Sequence, residues 1–155
     1  MEFSAEAMRE CQEILARYPR REGALLPVLH LAMREWGYIA AGAVDYLSAL
    51  LEVPPAHLGS ALSFYPAFRS QPAGRHLIGV CCTLSCSLMG AQEVESYLCE
   101  KLGISVGQTT ADGRFTLDKM ECLASCGTAP VMLVDGELQQ SLTRAKIDQI
   151  LERLS

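Results

Sequence analysis

Cysteine spacing constrains this chain more than any other feature of its sequence. Among seven cysteines, Cys81 and Cys86 are separated by four residues, and Cys122 and Cys126 are separated by three. Each pair is close enough in sequence to bind one metal centre from a single loop. A fold that brings the two loops together would complete a site with four thiolate ligands.

Length and composition define the class of protein. The chain has 155 residues, of which 50% are apolar and 20% are charged, enough for one compact domain or two small ones without disulfide bonds. The formal net charge is −5 and the basic residues are scattered, so no nucleic-acid partner is expected. The apolar stretches fall short of the roughly 20 residues that a membrane-spanning helix needs, so no direct membrane insertion is expected.

The N-terminal residues indicate a compartment. Residues 1–6 lack the basic start and the apolar run of a signal peptide, which predicts a cytoplasmic protein. Because that compartment is reducing, the cysteines are not expected to form a disulfide framework.

The hydrophobic pattern changes near residue 70. Before it, apolar residues recur with a helical period, which predicts three amphipathic helices. Pro55 is well placed to open a short fourth helix that runs through Tyr65. After a turn or linker at 70–74, strands alternate with helices. The expected strands are His76–Cys81, Phe115–Cys122, Val131–Val134 and Glu137–Gln139, and the expected helices are Leu88–Leu102 and a C-terminal helix capped by Thr143. The predicted fold class is α+β, with a helical region over 1–70 and an α/β domain over 75–155.

This pattern gives each of the four paired cysteines a position. Cys81 is expected to end a strand, Cys86 to open a helix, Cys122 to end a later strand, and Cys126 to lie in the loop before the last hairpin. Four thiols at strand ends predict a metal site. A [2Fe-2S] cluster with four thiolates carries a charge of about −2 when oxidised and about −3 when reduced, so backbone N–H groups nearby would stabilise it.

Spacing alone leaves three other uses of these thiols open. Buried free cysteines behave as small hydrophobic residues, so one pair by itself indicates little. Four thiolates also suit a structural zinc site, although zinc ribbons favour pairs separated by two residues. Thiol–disulfide exchange of the thioredoxin kind uses a C-x-x-C pair, which this sequence lacks.

Four segments carry a resemblance to a known family. They are YPRREGALLPVLHLAMREWGYI, SFYPAFRSQPAGRHLIGVC, VCCTLSCSLMGAQEV and DGRFTLDKMECLASCGTAPV. From about Tyr18 to the C-terminus, the chain resembles the thioredoxin-like [2Fe-2S] subunit of NADH:quinone oxidoreductase, which is respiratory complex I. The family pattern is C-x4-C, then C-x3-C followed by Gly-Thr-Ala-Pro, and it is met by Cys81, Cys86, Cys122, Cys126 and residues 127–130.

The resemblance implies a helical N-terminal region followed by a thioredoxin-like α/β domain that carries one [2Fe-2S] cluster on these four cysteines. It also implies a neighbouring flavoprotein subunit that binds NADH and FMN, so that this chain accepts an electron from the flavin. The isolated chain is then expected to have no catalytic activity. The expected location is cytoplasmic, with peripheral attachment to the inner face of the membrane through the complex.

Two alternative functions accompany this expectation. Close relatives serve NAD-linked hydrogenases and formate dehydrogenases, so the chain is alternatively the equivalent subunit of such a complex. An alternative of a different class is a structural zinc-binding module.

Two positions depart from the family pattern. Cys82 adds a thiol, and Met33 stands where glutamine is more common. Because side chains alternate along a strand, Cys81 and Cys82 cannot both face one cluster. Only Cys81 keeps the four-residue spacing of the family pattern, so Cys82 is expected to be a bystander. Cys11 and Cys99 fall on predicted helices and are expected to be core or surface thiols.

Overall fold

The structure is a computed structural model that describes residues 1–154. Its internal contacts divide the chain into two compact units, Met1–Pro72 and Ala73–Ser155. We call the first the helical unit and the second the sheet unit. In the described part of the chain, no helix has the length and apolar character needed to cross a membrane.

Four α-helices form the helical unit. Their bounds are α1 Ala5–Ala16, α2 Leu25–Trp36, α3 Val44–Leu51 and α4 Pro55–Phe64, with 3-10 turns at Arg21–Ala24 and Ala41–Ala43. All four expected helices are present. The first ends at Ala16, before the expected Tyr18.

Local chemistry explains where these helices begin and end. The Ser4 hydroxyl accepts a hydrogen bond from the N–H of Ala7 at 3.2 Å and caps α1. Gly37 ends α2 at a φ of 74°, a left-handed conformation that glycine adopts without a steric cost. Pro55 occupies the first turn of α4, where its missing N–H removes no helical hydrogen bond.

Apolar side chains fill the centre of the helical unit. Leu29, Leu47 and Leu58, from α2, α3 and α4, are all 0% exposed. The rings of Phe3 and Trp36 stack with their centroids 4.8 Å apart. Since burial of each large apolar side chain contributes about 1.5–3 kcal/mol, this core is the main source of stability in the unit.

A five-stranded sheet with three helices forms the sheet unit. The elements are β1 His76–Cys81, α5 Leu84–Leu88, α6 Ala91–Leu102, β2 Gln108–Thr109, β3 Phe115–Met120, β4 Met132–Val134, β5 Glu137–Gln139 and α7 Arg144–Arg153. The strand order is β2-β3-β1-β4-β5. β1 is parallel to β3 and antiparallel to β4, and the two outer pairs are antiparallel. β1 is therefore the central strand.

Two expected boundaries near the cysteines are wrong. The expected helix Leu88–Leu102 begins only at Ala91, as α6, and a separate short helix, α5, precedes it on the other side of Gly90, whose φ is 94°. Cys86 therefore lies in the middle of α5 and does not open a helix. β3 ends at Met120, so Cys122 lies two residues beyond the strand and does not end it.

Other expectations for the sheet unit agree more closely. β1, β5 and the cap of the last helix are as expected, and Thr143 Oγ1 accepts a hydrogen bond from the N–H of Lys146 at 3.2 Å. β4 begins at Met132, one residue after the expected Val131. The sequence does not predict β2, because two residues are too few to show an alternating pattern.

The core of the sheet unit lies between the sheet and its helices. Ile78 on β1, Leu117 on β3 and Met132 on β4 are 0% exposed, as are Leu98 on α6 and Ile147 on α7. These residues belong to one buried cluster that also includes Cys81 and Cys86. The C-terminal end of β1 is therefore packed within the core of the sheet unit.

Candidate metal centre

One loop crosses the C-terminal end of the central strand. We call residues 121–131 the β3–β4 loop, because they connect the two neighbours of β1. The carbonyl of Met120, just before the loop, accepts a hydrogen bond from the N–H of Cys82 at 2.9 Å. The carbonyl of Val131, at its end, accepts a hydrogen bond from the N–H of Cys81 at 3.1 Å. Both ends of a loop that carries two cysteines are thus attached to the strand end that carries two more.

Cys81 and Cys86 form an inner pair of thiols. Each is 1% exposed, and Cys81 Sγ lies 3.3 Å from Thr83 Oγ1. Burial acts to raise the pKa of Cys81, but hydrogen bonds involving the Thr83 hydroxyl, the N–H groups of Thr83 and Leu123 and the Cys86 thiol outweigh burial, so this pKa is lowered. Burial and the interaction with Cys81 raise the pKa of Cys86, against the lowering effect of the Val131 N–H. N–H groups of the β3–β4 loop therefore reach both sulfurs.

Cys122 and Cys126 form an outer pair on the β3–β4 loop. Both are exposed, and Cys122 Sγ accepts a hydrogen bond from the N–H of Ala124 at 3.4 Å. Cys126 begins the 3-10 turn Cys126–Thr128, and its charge contributes to the raised pKa of Cys86. Among the four expected ligand residues, the thiols of Cys81 and Cys86 therefore interact with each other, and Cys126 is close enough to Cys86 to affect its pKa. Cys122 is exposed.

The donor chemistry of this region suits an anionic metal centre. Across residues 1–154, no three His, Cys, Asp or Glu side chains are grouped as a ready metal site. The thiols nevertheless lie in two pairs on neighbouring segments, at the end of the sheet where β1 ends. Backbone N–H groups already approach the sulfurs of the inner pair. Four thiolates are the ligand set of a [2Fe-2S] cluster, and N–H donors stabilise its negative charge. The residues present therefore fit such a cluster.

Comparison with known families decides the class. A family model described as Thioredoxin-like [2Fe-2S] ferredoxin matches residues 11–155. The chain belongs to this ferredoxin family. The match begins inside α1, so the family includes most of the helical unit as well as the sheet unit.

Curated relatives of this ferredoxin are oxidoreductase subunits by name. NADH-quinone oxidoreductase subunit 2 of Thermus thermophilus is 38% identical over 146 residues, which cover 92% of this chain and 81% of that protein. Another NADH-quinone oxidoreductase subunit, from Mycobacterium tuberculosis, is 35% identical, over 94% of this chain and 58% of that protein. NADH dehydrogenase [ubiquinone] flavoprotein 2, mitochondrial, of Dictyostelium discoideum is 35% identical, over 99% of this chain and 63% of that protein. The chain thus spans less than two thirds of the last two relatives.

A solved structure resembles this ferredoxin over most of its length. The crystal structure of NAD+-reducing [NiFe]-hydrogenase in the air-oxidized state matches with a TM-score of 0.70 and 29% sequence identity. The match covers 84% of this chain and 22% of the hydrogenase chain. A segment of a larger polypeptide therefore resembles most of this chain.

Family membership and the observed fold confirm three expectations. The resemblance to the thioredoxin-like [2Fe-2S] subunit of NADH:quinone oxidoreductase is confirmed, and the helices and the mixed five-stranded sheet confirm the α+β fold class. One [2Fe-2S] cluster is confirmed as the cofactor. Neither a structural zinc module nor thiol–disulfide exchange receives support from these comparisons.

Sequence reasoning missed a polar network that holds the β3–β4 loop. Ser125 Oγ lies 2.8 Å from Thr128 Oγ1 and accepts a hydrogen bond from Gln140 Nε2 at 2.9 Å. The carbonyl of Thr128 accepts a hydrogen bond from the N–H of Ser141 at 2.8 Å. These bonds attach the turn that contains Cys126 to the segment after β5. A Ser and a Thr three residues apart in a loop are the signal that indicates such local bonding.

The remaining cysteines occupy different surroundings. Cys82 is half-buried, and its carbonyl accepts a hydrogen bond from Ser87 Oγ at 3.0 Å. Cys99 is half-buried on α6. Cys11 is 0% exposed on α1, inside the core of the helical unit. Of these three cysteines, only Cys82 is hydrogen-bonded to Met120, the residue that leads into the β3–β4 loop.

Proposed function

We propose that this ferredoxin is the electron-transfer subunit of an NADH:quinone oxidoreductase complex, in which its cluster accepts an electron from the FMN of an adjacent NADH-oxidising flavoprotein subunit. The observation that carries the proposal is the attachment of both ends of the β3–β4 loop to Cys81 and Cys82. The names of the curated relatives support the parent complex. The bound cluster supplies one-electron transfer, and catalysis belongs to the partner.

The proposed ligands are Cys81, Cys86, Cys122 and Cys126. The inner pair lies in the core at 1% exposure for each thiol, so it anchors the site on β1 and α5. The outer pair is exposed and lies on a loop that is held at both ends. Two of the four thiols are therefore held in the core, and solvent or a partner can reach the other two.

Backbone donors of this chain set the electrostatic environment. The N–H groups of Leu123 and Val131 approach the sulfurs of Cys81 and Cys86, respectively. Hydrogen bonds to cluster-ligating sulfurs stabilise the more negative, reduced state and raise the reduction potential. These two amides are thus the groups with which the loop tunes the cluster.

The proposed division of labour is tested with the purified chain and with its native complex. Reconstitution with iron and sulfide is expected to give a brown protein with about two iron and two sulfide per chain and an EPR signal on reduction. The protein without other subunits is expected not to oxidise NADH. A colourless protein loaded with zinc, or NADH turnover by the isolated chain, would contradict the proposal.

Purification of the complex addresses the partner. A tagged chain is expected to copurify with a larger polypeptide that contains FMN, and the assembly is expected at the inner face of the membrane without insertion of this chain. The structural match to a hydrogenase favours a second candidate, the equivalent subunit of an NAD+-reducing hydrogenase. Mass spectrometry distinguishes them, because a nickel-containing partner identifies the second complex and quinone-reducing subunits identify the first.

A further inference from the structure

A glycine in the central strand makes room for a side chain of the neighbouring strand. Gly79 is buried in β1, between Asp118 of β3 and Leu133 of β4. A Cβ atom at this position would lie 2.5 Å from Met120 Sδ and 2.7 Å from Met120 Cε and Cγ. Real Cβ atoms do not approach other atoms so closely, so the thioether chain of Met120 occupies the space where a side chain of residue 79 would lie.

Gly79 is distinctive among the glycines of the chain. At Gly42 and Gly59, a Cβ atom would lie in open space, with no atom within 4 Å. A glycine in the interior of a strand makes the strand less stable. A buried glycine there therefore indicates that another group approaches the backbone so closely that no side chain would fit. Here the group that approaches is the end of Met120, and the backbone of Gly79 has no positive φ that would require glycine for another reason.

Met120 connects the two segments that carry the proposed ligands. It is the last residue of β3 and the register partner of Cys81. Its carbonyl accepts a hydrogen bond from the N–H of Cys82 at 2.9 Å, and its side chain reaches back over Gly79. Cys122 follows two residues later. Met120 is therefore fixed to β1 by both its backbone and its side chain at the point where the β3–β4 loop begins.

The position of this strand end affects the cluster site directly. A slip of β3 by one residue would move its end by about 3.3 Å. Metal–ligand distances tolerate deviations of only about 0.2 Å. Strand ends fray more readily than strand centres, so a side-chain contact at the end of β3 limits displacements that the site cannot accept.

We propose that Met120 is a positioning residue for the cluster: by lying across Gly79, it holds the end of β3 against β1 and thereby sets the location of Cys122 relative to Cys81. This inference rests on the proposed ligand set. Met120 acts through packing and supplies no ligand, and Gly79 is the matching half of the contact.

Substitutions of Met120 test the contact from one side. Met120→Ala removes the atoms that cover Gly79, whereas Met120→Leu keeps an apolar side chain of similar volume. We expect Met120→Ala to shorten the half-life of the cluster under a fixed chelator challenge on the order of tenfold and to shift its midpoint potential and EPR spectrum. Met120→Leu is expected to stay within about twofold of the wild-type half-life and to keep the spectrum.

Substitution of Gly79 tests the contact from the other side. Gly79→Ala places a methyl group where Met120 lies, so it is expected to displace that side chain and shorten the half-life to a similar extent. In the double variant Gly79→Ala/Met120→Ala, the new methyl group at position 79 no longer meets the Met120 thioether, and the contact between residues 79 and 120 is already lost through Met120→Ala. The double variant is therefore expected to match Met120→Ala, and not to show the product of the two separate losses.

The control is Gly59→Ala, at a helical position where a Cβ atom meets nothing within 4 Å. It is expected to retain the wild-type half-life, potential and spectrum. Far-UV circular dichroism of each apo variant checks the fold, and loss of the wild-type signal in Met120→Ala would overturn the inference in favour of a general structural role. Wild-type values in a folded Met120→Ala, or fully independent losses in the double variant, would overturn it too.

Failure of this inference is distinguishable from failure of the proposed function. A wild-type chain that holds no cluster after reconstitution would contradict the proposed function, and this inference with it. A normal wild-type cluster, together with Met120→Ala values equal to those of Gly59→Ala, would overturn the positioning role alone.

Discussion

The helical unit and the sheet unit use cysteine in opposite ways. Cys11, the one cysteine of the helical unit, is 0% exposed among apolar side chains. Cys81 in the sheet unit is nearly as buried, at 1% exposed, yet it has hydrogen-bond partners around its sulfur. Burial raises the pKa of Cys11, with Arg21 opposing it, whereas hydrogen bonding lowers the pKa of Cys81 in spite of burial. Burial alone therefore does not distinguish Cys11 from Cys81; the hydrogen-bond donors around the sulfur of Cys81 do.

Cysteine substitutions should separate the two units most strongly. Cys81→Ser is expected to lose the cluster or alter it severely, because it removes one of the four proposed ligands. Cys11→Ser, Cys82→Ser and Cys99→Ser are expected to retain a full cluster, with at most a shifted potential for Cys82→Ser. Iron and sulfide analysis with EPR measures both outcomes. A normal cluster in Cys81→Ser alongside a missing one in Cys82→Ser would reverse the assignment.

The next largest effect is expected in the core of the helical unit. Leu47→Ala should lower the free energy of unfolding by about 2–5 kcal/mol, because Leu47 is 0% exposed. The fluorescence of Trp36, the single tryptophan, reports this unit during urea unfolding. Since the helical unit contains no proposed ligand, the EPR spectrum of folded protein is expected to stay unchanged. The control Phe64→Ala removes a side chain that is 75% exposed and should change stability by less than about 0.5 kcal/mol.

Substitutions at the helix caps are expected to have smaller effects on stability, and similar ones in the two units. Ser4 caps α1 in the helical unit and Thr143 caps α7 in the sheet unit, each through a 3.2 Å hydrogen bond from a backbone N–H. Ser4→Ala and Thr143→Ala should each cost about 1 kcal/mol of unfolding free energy. Ser4→Thr and Thr143→Ser keep the hydroxyl and should lose less. Equal stability of the alanine and hydroxyl variants in urea titrations would show that the caps contribute nothing.

The smallest expected effect is a pH dependence specific to the sheet unit. Asp148 accepts hydrogen bonds from Tyr97 at 2.7 Å and pairs with Lys101 Nζ at 2.9 Å, and these contacts with Lys101 and Tyr97 lower the pKa of Asp148. Its contribution to stability is therefore present above the ordinary carboxyl pKa of about 3.9 and is lost as the pH falls through the lower pKa of the folded state.

Asp148→Asn measures this contribution. The variant is expected to be less stable than wild type at pH 7, and the difference should shrink as the pH falls below about 4. Because acid releases iron from clusters, urea unfolding of apo protein, followed by circular dichroism, is the suitable measurement. Glu100→Gln alters an exposed carboxylate on the same helix as Tyr97 and Lys101 and should show no such trend. A pH-independent difference for Asp148→Asn would exclude the charge as its cause.

The sequence by itself determined the features that depend on neighbouring residues. The apolar period located three helices of the helical unit, because one buried face of a helix repeats along the chain. Pro55 located the start of the fourth. The two cysteine spacings and the Gly-Thr-Ala-Pro segment identified the family and its cluster. Thr143 before an apolar period located the cap of the last helix.

Only the tertiary structure decided how the cysteine segments meet. The left-handed conformation of Gly90 separates α5 from α6, whereas the sequence predicted one helix that runs through this position. The central place of β1, which brings the β3–β4 loop across Cys81, depends on strand order. The fit of Met120 over Gly79 depends on register between strands far apart in sequence. Such pairings are set by packing of the whole sheet, so no local stretch of sequence encodes them.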